Sequence, residues 1–144
     1  MLRQVVRDLC IPTEIAVVPT VRDADGLALS SRNAYLRPPE RAAAPGLYRA
    51  LQAMADAVTR GETNRDRIVA FGRAQITPPL REAYLDVVDP RTFEGVHDIA
   101  ALPGQDTFTA IGSAWLGSTR LIDNVSLAVP ATPSNPVLHA SVLS

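Results

Sequence analysis

Two adjacent prolines, Pro78 and Pro79, separate a part of the chain with helical spacing from a part with alternating spacing. Before them, apolar residues recur every three or four positions, which is the repeat of one helix face. After them, apolar and polar residues alternate, which is the repeat of a strand with one buried face. A run of helices followed by a run of strands indicates an α+β domain. We therefore predict two helices packed on a small antiparallel sheet of three strands.

The longest helical pattern lies before the prolines and is interrupted near its start. Its apolar residues repeat at three and four positions: Leu47, Leu51, Met54, Ala55 and Val58. Pro45 lacks a backbone donor and crowds the preceding turn. The sequence therefore predicts a first turn from about Pro39, a kink near Pro45 and a regular helix to Arg60, which Gly61 ends.

A second helix is predicted from Thr63, with Asp66 three positions later as a variant of the capping box. Three apolar side chains fall on one face of this helix: Ile68, Phe71 and Ile76. The alternating part of the chain predicts strands at residues 82–88, 106–115 and 119–129. Gly117 between the last two permits a type II′ turn, which favours a hairpin.

The N-terminal segment predicts a short helix followed by a strand. Residues 1–10 place apolar side chains at helical spacing until Pro12 stops the pattern. Residues 14–18 form a brief apolar, β-branched run that is typical of a buried parallel strand. The single cysteine, Cys10, lies in this apolar stretch, and we predict a small core residue rather than a nucleophile.

A polar, turn-rich segment follows this predicted strand and carries the candidate chemistry. Asp25 and Gly26 indicate a turn, because glycine accepts a positive φ without a Cβ clash. Ser30, Ser31 and Arg32 then place two hydroxyls and a guanidinium on consecutive residues. A guanidinium presents a planar fork of donors that matches phosphate oxygens, and short serine side chains complete a cradle. The segment is a candidate anion-binding loop, and an ordinary solvated loop is the alternative.

This loop and its flanks resemble the signature of the pantoate–β-alanine ligases, or pantothenate synthetases. The resemblance runs through residues 18–36, 44–48 and 114–124, and it covers roughly residues 1–129. In that family the Ser-Ser-Arg segment is the counterpart of the KMSKS loop of the nucleotidyltransferases, which closes over the phosphates of ATP. Leu29-Ser30-Ser31-Arg32 occupies that place in this chain.

The resemblance implies the C-terminal half of such an enzyme. Family members are nearly twice as long, and their N-terminal half carries a histidine motif that His97 and His139 do not form. The implied organisation has four parts: residues 1–22 as the last helix and strand of a Rossmann-like nucleotidyltransferase domain, 23–37 as nucleotide-phosphate loop and hinge, 38–129 as an α+β lid domain, and 130–144 as a mobile tail.

The same resemblance implies ATP-dependent amide formation through a pantoyl adenylate. The residues implied in catalysis are Ser30, Ser31 and Arg32, and those implied in ATP binding are Val18, Val21, Leu29, Ser30, Ser31 and Arg32. Core packing is the alternative for Val18 and Val21. Mg²⁺ would accompany the phosphates and be held mainly by them. Exchange for lysine is expected to lower kcat sharply at Arg32 and to leave kcat nearly unchanged at Arg22 and Arg37, which lie outside the cradle.

The role of the isolated chain has three interpretations. As part of a ligase, it would meet pantoate and β-alanine only when the N-terminal half is present, so the chain alone is predicted to be inactive. It could also be one half of a split enzyme, or a non-catalytic binding or assembly module. The apolar N-terminal segment predicts a homo-oligomer, such as a homodimer, or pairing with an N-terminal half.

Composition limits the possible binding partners and the cellular compartment. The net charge of −1 gives no support for binding nucleic acid or an anionic membrane. A lone cysteine fits a reducing cytosol, and no apolar run approaches the roughly 20 residues of a membrane span. We predict a cytoplasmic protein with no metal site of its own, because no cluster has ligand spacing. We interpret Asp86, Asp89 and Asp123 as structural or solvent-facing.

Overall fold

A computed structural model describes residues 2–102 and 104–130 of the chain. These residues form an α+β fold, as predicted, in which helices pack on a three-stranded sheet. The elements follow in the order α1 (Leu2–Asp8), α2 (Pro38–Ala43), α3 (Gly46–Thr59), α4 (Arg65–Arg73), β1 (Arg81–Val88), β2 (Thr107–Leu116) and β3 (Thr119–Ala128). Short 3₁₀ helices lie at Ser31–Tyr35 and Ile99–Ala101.

The three strands form one antiparallel sheet in the order β1-β2-β3. Strands β2 and β3 pair along their whole length, from Leu116 with Thr119 to Thr107 with Ala128. Gly117 takes a φ of 57° in the connection, which is the positive φ that a II′ turn needs at its first central position. The three predicted strands and the hairpin are confirmed.

Helix α3 covers one face of this sheet. Four of its predicted core side chains are almost fully buried: Leu47, Leu51, Met54 and Val58. A Cβ at Gly112 of β2 would lie 3.0 Å from Leu47 and 3.2 Å from Leu51, so the absence of a side chain there lets α3 approach the sheet. Burying each large apolar side chain contributes about 1.5–3 kcal/mol, and this contact therefore fixes the sheet against the helix.

The helical region begins, and is interrupted, at the positions predicted from the prolines. Pro38 and Pro39 lie in the first turn of α2, where the N–H that proline lacks has no helical partner. The helix is interrupted at Pro45, and α3 begins at Gly46. Gly61, with a φ of 94°, comes just after the end of α3. The predicted first turn, kink and long helix are confirmed.

Helix α4 differs from the prediction at both ends. It begins later than predicted, because Asn64 caps it by accepting a hydrogen bond of 3.1 Å from the Arg67 N–H. Ile76 lies beyond the C-cap at Ala74. The prediction that Phe71 faces the core is wrong, since its side chain is 46% exposed. The buried face of α4 consists instead of Ile68, Val69 and Gly72.

The N-terminal helix is confirmed, but the predicted strand at residues 14–18 is wrong. This segment has no strand, and Val17 and Val18 are 73% and 77% exposed. A strand needs a neighbouring strand to satisfy its backbone groups, and among the described residues no strand pairs with residues 14–18. Core packing is therefore wrong for Val18. Cys10 is also exposed rather than buried, and it follows α1 with a φ of 51°.

Two further predictions are not tested by the described residues. The Rossmann-like origin of residues 1–22 stays a prediction, and so does the mobile tail, of which the structure describes only Pro130. In the described part of the chain, no helix has both the length and the apolar character needed to cross a membrane.

Candidate functional site

The predicted anion-binding loop starts from a tight turn. Arg22 and Ala28 form an antiparallel bridge. Beside it, the N–H of Leu29 donates a hydrogen bond of 3.0 Å to the carbonyl of Val21. The turn therefore brings Val21 and Leu29, two of the predicted ATP-binding residues, next to each other.

Packing and ion pairs hold this turn in place. Gly26 has a φ of 93°, and a Cβ on it would lie 2.4 Å from the ring of Tyr48 on α3. Arg41 of α2 donates to Asp25 at 2.6 Å and to Asp23 at 2.9 Å. The hydrogen bond from Arg41 holds the pKa of the Asp25 carboxyl below its usual value. The turn is thus fastened to both α2 and α3.

The serine and arginine candidates lie where the 3₁₀ helix Ser31–Tyr35 begins. Ser30 caps this helix, because its Oγ accepts a hydrogen bond of 3.2 Å from the N–H of Arg32. Ser30, Ser31 and Arg32 are all exposed. Within the described residues, the Arg32 guanidinium makes no hydrogen bond and no ion pair. Its donors are therefore available to a ligand.

Asn33 anchors the other side of the loop. Its Nδ2 donates a hydrogen bond of 3.0 Å to the carbonyl of Ala28. This bond fixes the orientation of the amide, because the reverse orientation would place two oxygen acceptors together. The Oδ1 atom is buried and has no partner within the described part of the chain. The loop therefore offers one buried acceptor beside its exposed donors.

These residues line a cavity of about 230 Å³. The loop contributes Leu29, Ser30 and Arg32, α3 contributes Tyr48, and β3 contributes Arg120. The cavity thus lies where the loop, the first turn of α3 and the edge strand of the sheet meet. Three predicted site residues are brought together here, whereas Ser31, Val18 and Val21 are not part of the lining.

Asp123 is the one carboxylate among the described residues of the lining, and Arg22 neutralises it. The two Nη atoms of Arg22 reach the Oδ2 and Oδ1 atoms of Asp123 at 2.6 Å and 2.9 Å. The same guanidinium lies 3.9 Å from the ring centroid of Tyr48. Its hydrogen bond to Asp123 raises the pKa of Arg22. Because both carboxylate oxygens are occupied, the cavity keeps a net positive charge from Arg32 and Arg120.

The role of Arg22 was not predicted from the sequence, although β3 carries a signal for a basic partner. Asp123 lies on the same face of β3 as Leu121 and Leu127, which are both buried. A carboxylate on the core side of a strand needs a compensating cation. The pattern of β3 therefore indicated a basic partner, but it did not say which of the fourteen arginines would supply it.

Arg120 was not predicted from the sequence either. Its Nε donates a hydrogen bond of 2.7 Å to the Oγ of Ser113 on β2. The guanidinium carbon lies 5.9 Å from the ring centroids of both Tyr84 on β1 and Trp115 on β2. No local motif indicates this arrangement, because its four residues come from three strands.

Known proteins resemble this chain over most of its length. The sequence model of the family described as "Pantoate-beta-alanine ligase" matches residues 1–126. A pantothenate synthetase from Thermobifida fusca is 47% identical over 132 residues, which are 90% of this chain and 43% of that protein. One from Pseudomonas entomophila is 47% identical over 128 residues, which are 88% of this chain and 43% of that protein.

A solved structure shares the fold as well as the sequence. The crystal structure of a pantothenate synthetase from Thermus thermophilus matches with a TM-score of 0.79 and 39% identity. The match covers 88% of this chain and 45% of that one. The chain therefore spans less than half the length of the relatives it matches.

Proposed function

The chain belongs to the pantoate–beta-alanine ligase family, and we propose that it supplies the phosphate-binding loop and the lid of an ATP-dependent enzyme that joins pantoate to β-alanine. The resemblance predicted from the sequence is confirmed by the family match and by relatives at 47% identity. Because the chain spans less than half of those relatives, we propose that it acts together with an N-terminal half that binds pantoate and β-alanine.

The positively charged cavity is the observation that carries this proposal. Ser30, Arg32 and Arg120 line it, and Arg22 occupies its carboxylate, Asp123. Guanidinium groups bind phosphate oxygens through paired, charge-assisted hydrogen bonds. The cavity therefore suits the phosphate chain of a nucleotide.

The proposed reaction has two steps. In the first, a carboxylate oxygen of pantoate attacks the α-phosphorus of ATP, and pyrophosphate leaves as the bond to the bridging oxygen breaks. In the second, the amine of β-alanine attacks the acyl carbon of the adenylate, loses a proton and displaces AMP. Both steps conserve atoms and electrons, and neither needs an oxidant or a reductant.

Residues of this chain act on the charge that develops in the first step. Negative charge builds up on the departing pyrophosphate, and Arg32 with the hydroxyls of Ser30 and Ser31 would donate hydrogen bonds to it. The removal of one such preorganised donor typically costs about 3–4 kcal/mol of transition-state stabilisation. Closure of the domain would exclude water from the reactive adenylate.

The donor set fits a Mg²⁺ ion held by phosphates rather than by the protein. The cavity offers guanidinium groups and hydroxyls, and its carboxylate, Asp123, is already paired with Arg22. Among the described residues, no group of three or more His, Cys, Asp or Glu side chains is arranged to hold a metal. A bound Mg²⁺ would neutralise phosphate charge, and the residues of the loop would orient the phosphates.

An apolar edge beside the cavity suits the adenine base. Leu29 is 57% exposed and Val21 is 62% exposed, and a backbone hydrogen bond joins the two residues. Exposed apolar side chains next to convergent polar groups are typical of ligand sites. We propose that Val21 and Leu29 contact the base, together with Val18, which is also exposed.

Reconstitution tests this function. The purified chain is mixed with the N-terminal half of the Thermobifida fusca relative, and AMP release is measured with ATP, pantoate and β-alanine. We expect AMP release from the mixture but from neither half alone. Arg32→Ala should abolish it. Arg67→Ala is the matched control, because Arg67 is exposed and lies 3.8 Å from Glu62, outside the cavity.

The other outcomes distinguish the alternatives. AMP release by the chain alone, lost in Arg32→Ala, would show that no N-terminal half is needed. Tight association of the two halves without AMP release would support an assembly module. If the two halves do not associate and do not release AMP, the proposal is contradicted.

A further inference from the structure

We propose that Arg120 is a second phosphate-binding residue of this site, supplied by β3 opposite the serine–arginine loop at residues 30–32. The inference rests on the proposed function and extends it to a residue outside the loop. Arg120 lines the same cavity as Ser30 and Arg32. It lies 88 positions away from Arg32 along the chain, by the difference of their residue numbers.

The surroundings of Arg120 orient its guanidinium. Ser113, whose Oγ accepts from the Arg120 Nε at 2.7 Å, is fully buried. Tyr84 and Trp115 lie at equal distances of 5.9 Å from the guanidinium carbon. One donor is thus used for anchoring, while the two Nη groups make no hydrogen bond within the described residues. A guanidinium held in this way loses little further freedom when it binds an anion.

The two arginines of the cavity differ in how they are held. The Arg32 side chain is exposed and its guanidinium has no partner among the described residues, whereas the Arg120 guanidinium is hydrogen-bonded to Ser113 of the sheet. We infer that Arg120 provides a fixed contact for the phosphate chain and that Arg32 completes the clamp from the other side. Arg32 and Arg120 both line the cavity, and two like charges near one another repel unless an anion lies close to both.

The size of the cavity limits what it can hold. Pockets for drug-sized ligands typically measure about 300–1,000 Å³, and this cavity measures about 230 Å³. It is therefore suited to the phosphate chain rather than to a whole nucleotide. The carboxylate of pantoate is an oxyanion too, and separate titrations distinguish it from phosphate.

Binding of inorganic pyrophosphate tests this inference directly. Titration calorimetry with sodium pyrophosphate compares the unchanged chain with Arg120→Gln, Arg120→Lys and Arg32→Gln. Hydrogen bonds to charged groups contribute enough that Arg120→Gln should weaken binding between about tenfold and a hundredfold. Arg120→Lys should recover only part of this loss, because an ammonium cannot form the paired contact.

A matched control separates binding from folding. Arg60 also lies over an aromatic ring, 5.7 Å from the centroid of Phe71, but it does not line the cavity. Arg60→Gln therefore removes a similar contact and should leave pyrophosphate affinity unchanged. Thermal unfolding without ligand shows which variants are folded, and Arg120→Lys keeps the test decisive if Arg120→Gln unfolds.

The binding results separate the role of Arg120 from that of Arg32. Weaker pyrophosphate binding in both Arg120 variants, with Arg60→Gln unchanged, supports the inference. Unchanged binding in the Arg120 variants together with a loss in Arg32→Gln overturns it and leaves the proposed function intact. An effect on pantoate but not on pyrophosphate, measured in the mixture with the N-terminal half, also overturns it. So does the absence of pyrophosphate binding by the unchanged chain, while AMP release from that mixture remains a separate test of the proposed function.

Discussion

Arg22 and Asp123 are 101 positions apart and form a bidentate ion pair, with N–O distances of 2.6 Å and 2.9 Å. Their side chains are only 17% and 6% exposed. Arg22 also donates to the carbonyl of Gly26 at 3.1 Å and to that of Asn124 at 3.2 Å. One side chain therefore ties the turn that precedes the candidate loop to the edge strand of the sheet.

Arg22→Lys should destabilise the chain by about 1–3 kcal/mol, because an ammonium loses the paired geometry and the contact with the Tyr48 ring. The sequence-based expectation of a nearly neutral exchange concerns kcat, and this one concerns stability. The midpoint of urea unfolding measures the effect. Arg67→Lys, at an exposed position, is the control and should leave the midpoint unchanged. Equal midpoints for both variants would contradict a structural role for Arg22.

Arg32→Lys should lower the rate of AMP release from the reconstituted enzyme by about two to three powers of ten. The unfolding midpoint should not change, since the Arg32 guanidinium has no partner among the described residues. Arg37→Lys is the control, because the Arg37 side chain is 78% exposed and pairs with Glu40 at 2.7 Å. Similar small losses of rate at both positions would disprove the assignment of Arg32 to the phosphates.

Gly26→Ala should destabilise the chain more than Gly61→Ala. Both glycines have nearly the same φ, 93° and 94°, so both variants carry the left-handed penalty of about 1–2 kcal/mol. Only at Gly26 would the new Cβ meet the Tyr48 ring, at 2.4 Å, whereas nothing lies within 4 Å at Gly61. Urea unfolding of the two variants measures the difference. Equal losses would show that the Tyr48 contact does not constrain the turn.

Asp89 should make stability depend on pH in the acid range. The hydrogen bond from Arg91 lowers the pKa of Asp89 from 3.8 to about 2. A carboxyl with a lowered pKa stabilises the fold above its ordinary pKa, and this contribution disappears as the pH falls through the folded value. The difference in urea midpoint between the unchanged chain and Asp89→Asn should therefore be largest at pH 6 and small near pH 2.

The control for this pH dependence is Asp56→Asn, since Asp56 is exposed on α3. Its midpoint difference from the unchanged chain should be small at every pH. A gap between Asp89→Asn and the unchanged chain that stays constant down to pH 2 would refute the role of the Asp89 carboxylate.

The isolated chain should self-associate through α1. Three apolar side chains of this helix or its end are exposed: Leu2 at 71%, Val5 at 44% and Leu9 at 66%. Sedimentation should show dimers or larger species, and the double change Val5→Asp with Leu9→Asp should reduce them. Phe71→Ser on α4 is the control for loss of an exposed apolar side chain. A clean monomer at high concentration of the unchanged chain would count against this prediction.

Local spacing was sufficient to predict the elements that bury one face. Leu47, Leu51 and Met54 recur at helical spacing, and they are buried on α3 as expected. The alternation of β3 and the glycine of its hairpin were equally informative, because each depends on residues that are neighbours in the chain. The loop at Ser30 to Arg32 was recognised for the same reason, since its donors are consecutive.

Only the tertiary structure decided which distant residues meet. Residues 14–18 have the composition of a strand, yet they form none, because a strand depends on a partner that spacing cannot supply. The pairing of Arg22 with Asp123 and the place of Arg120 in the cavity depend on how the turn, α3 and the sheet pack together. The chain has fourteen arginines, and their contacts over long sequence separations, rather than their neighbours in sequence, distinguish the two that carry these roles.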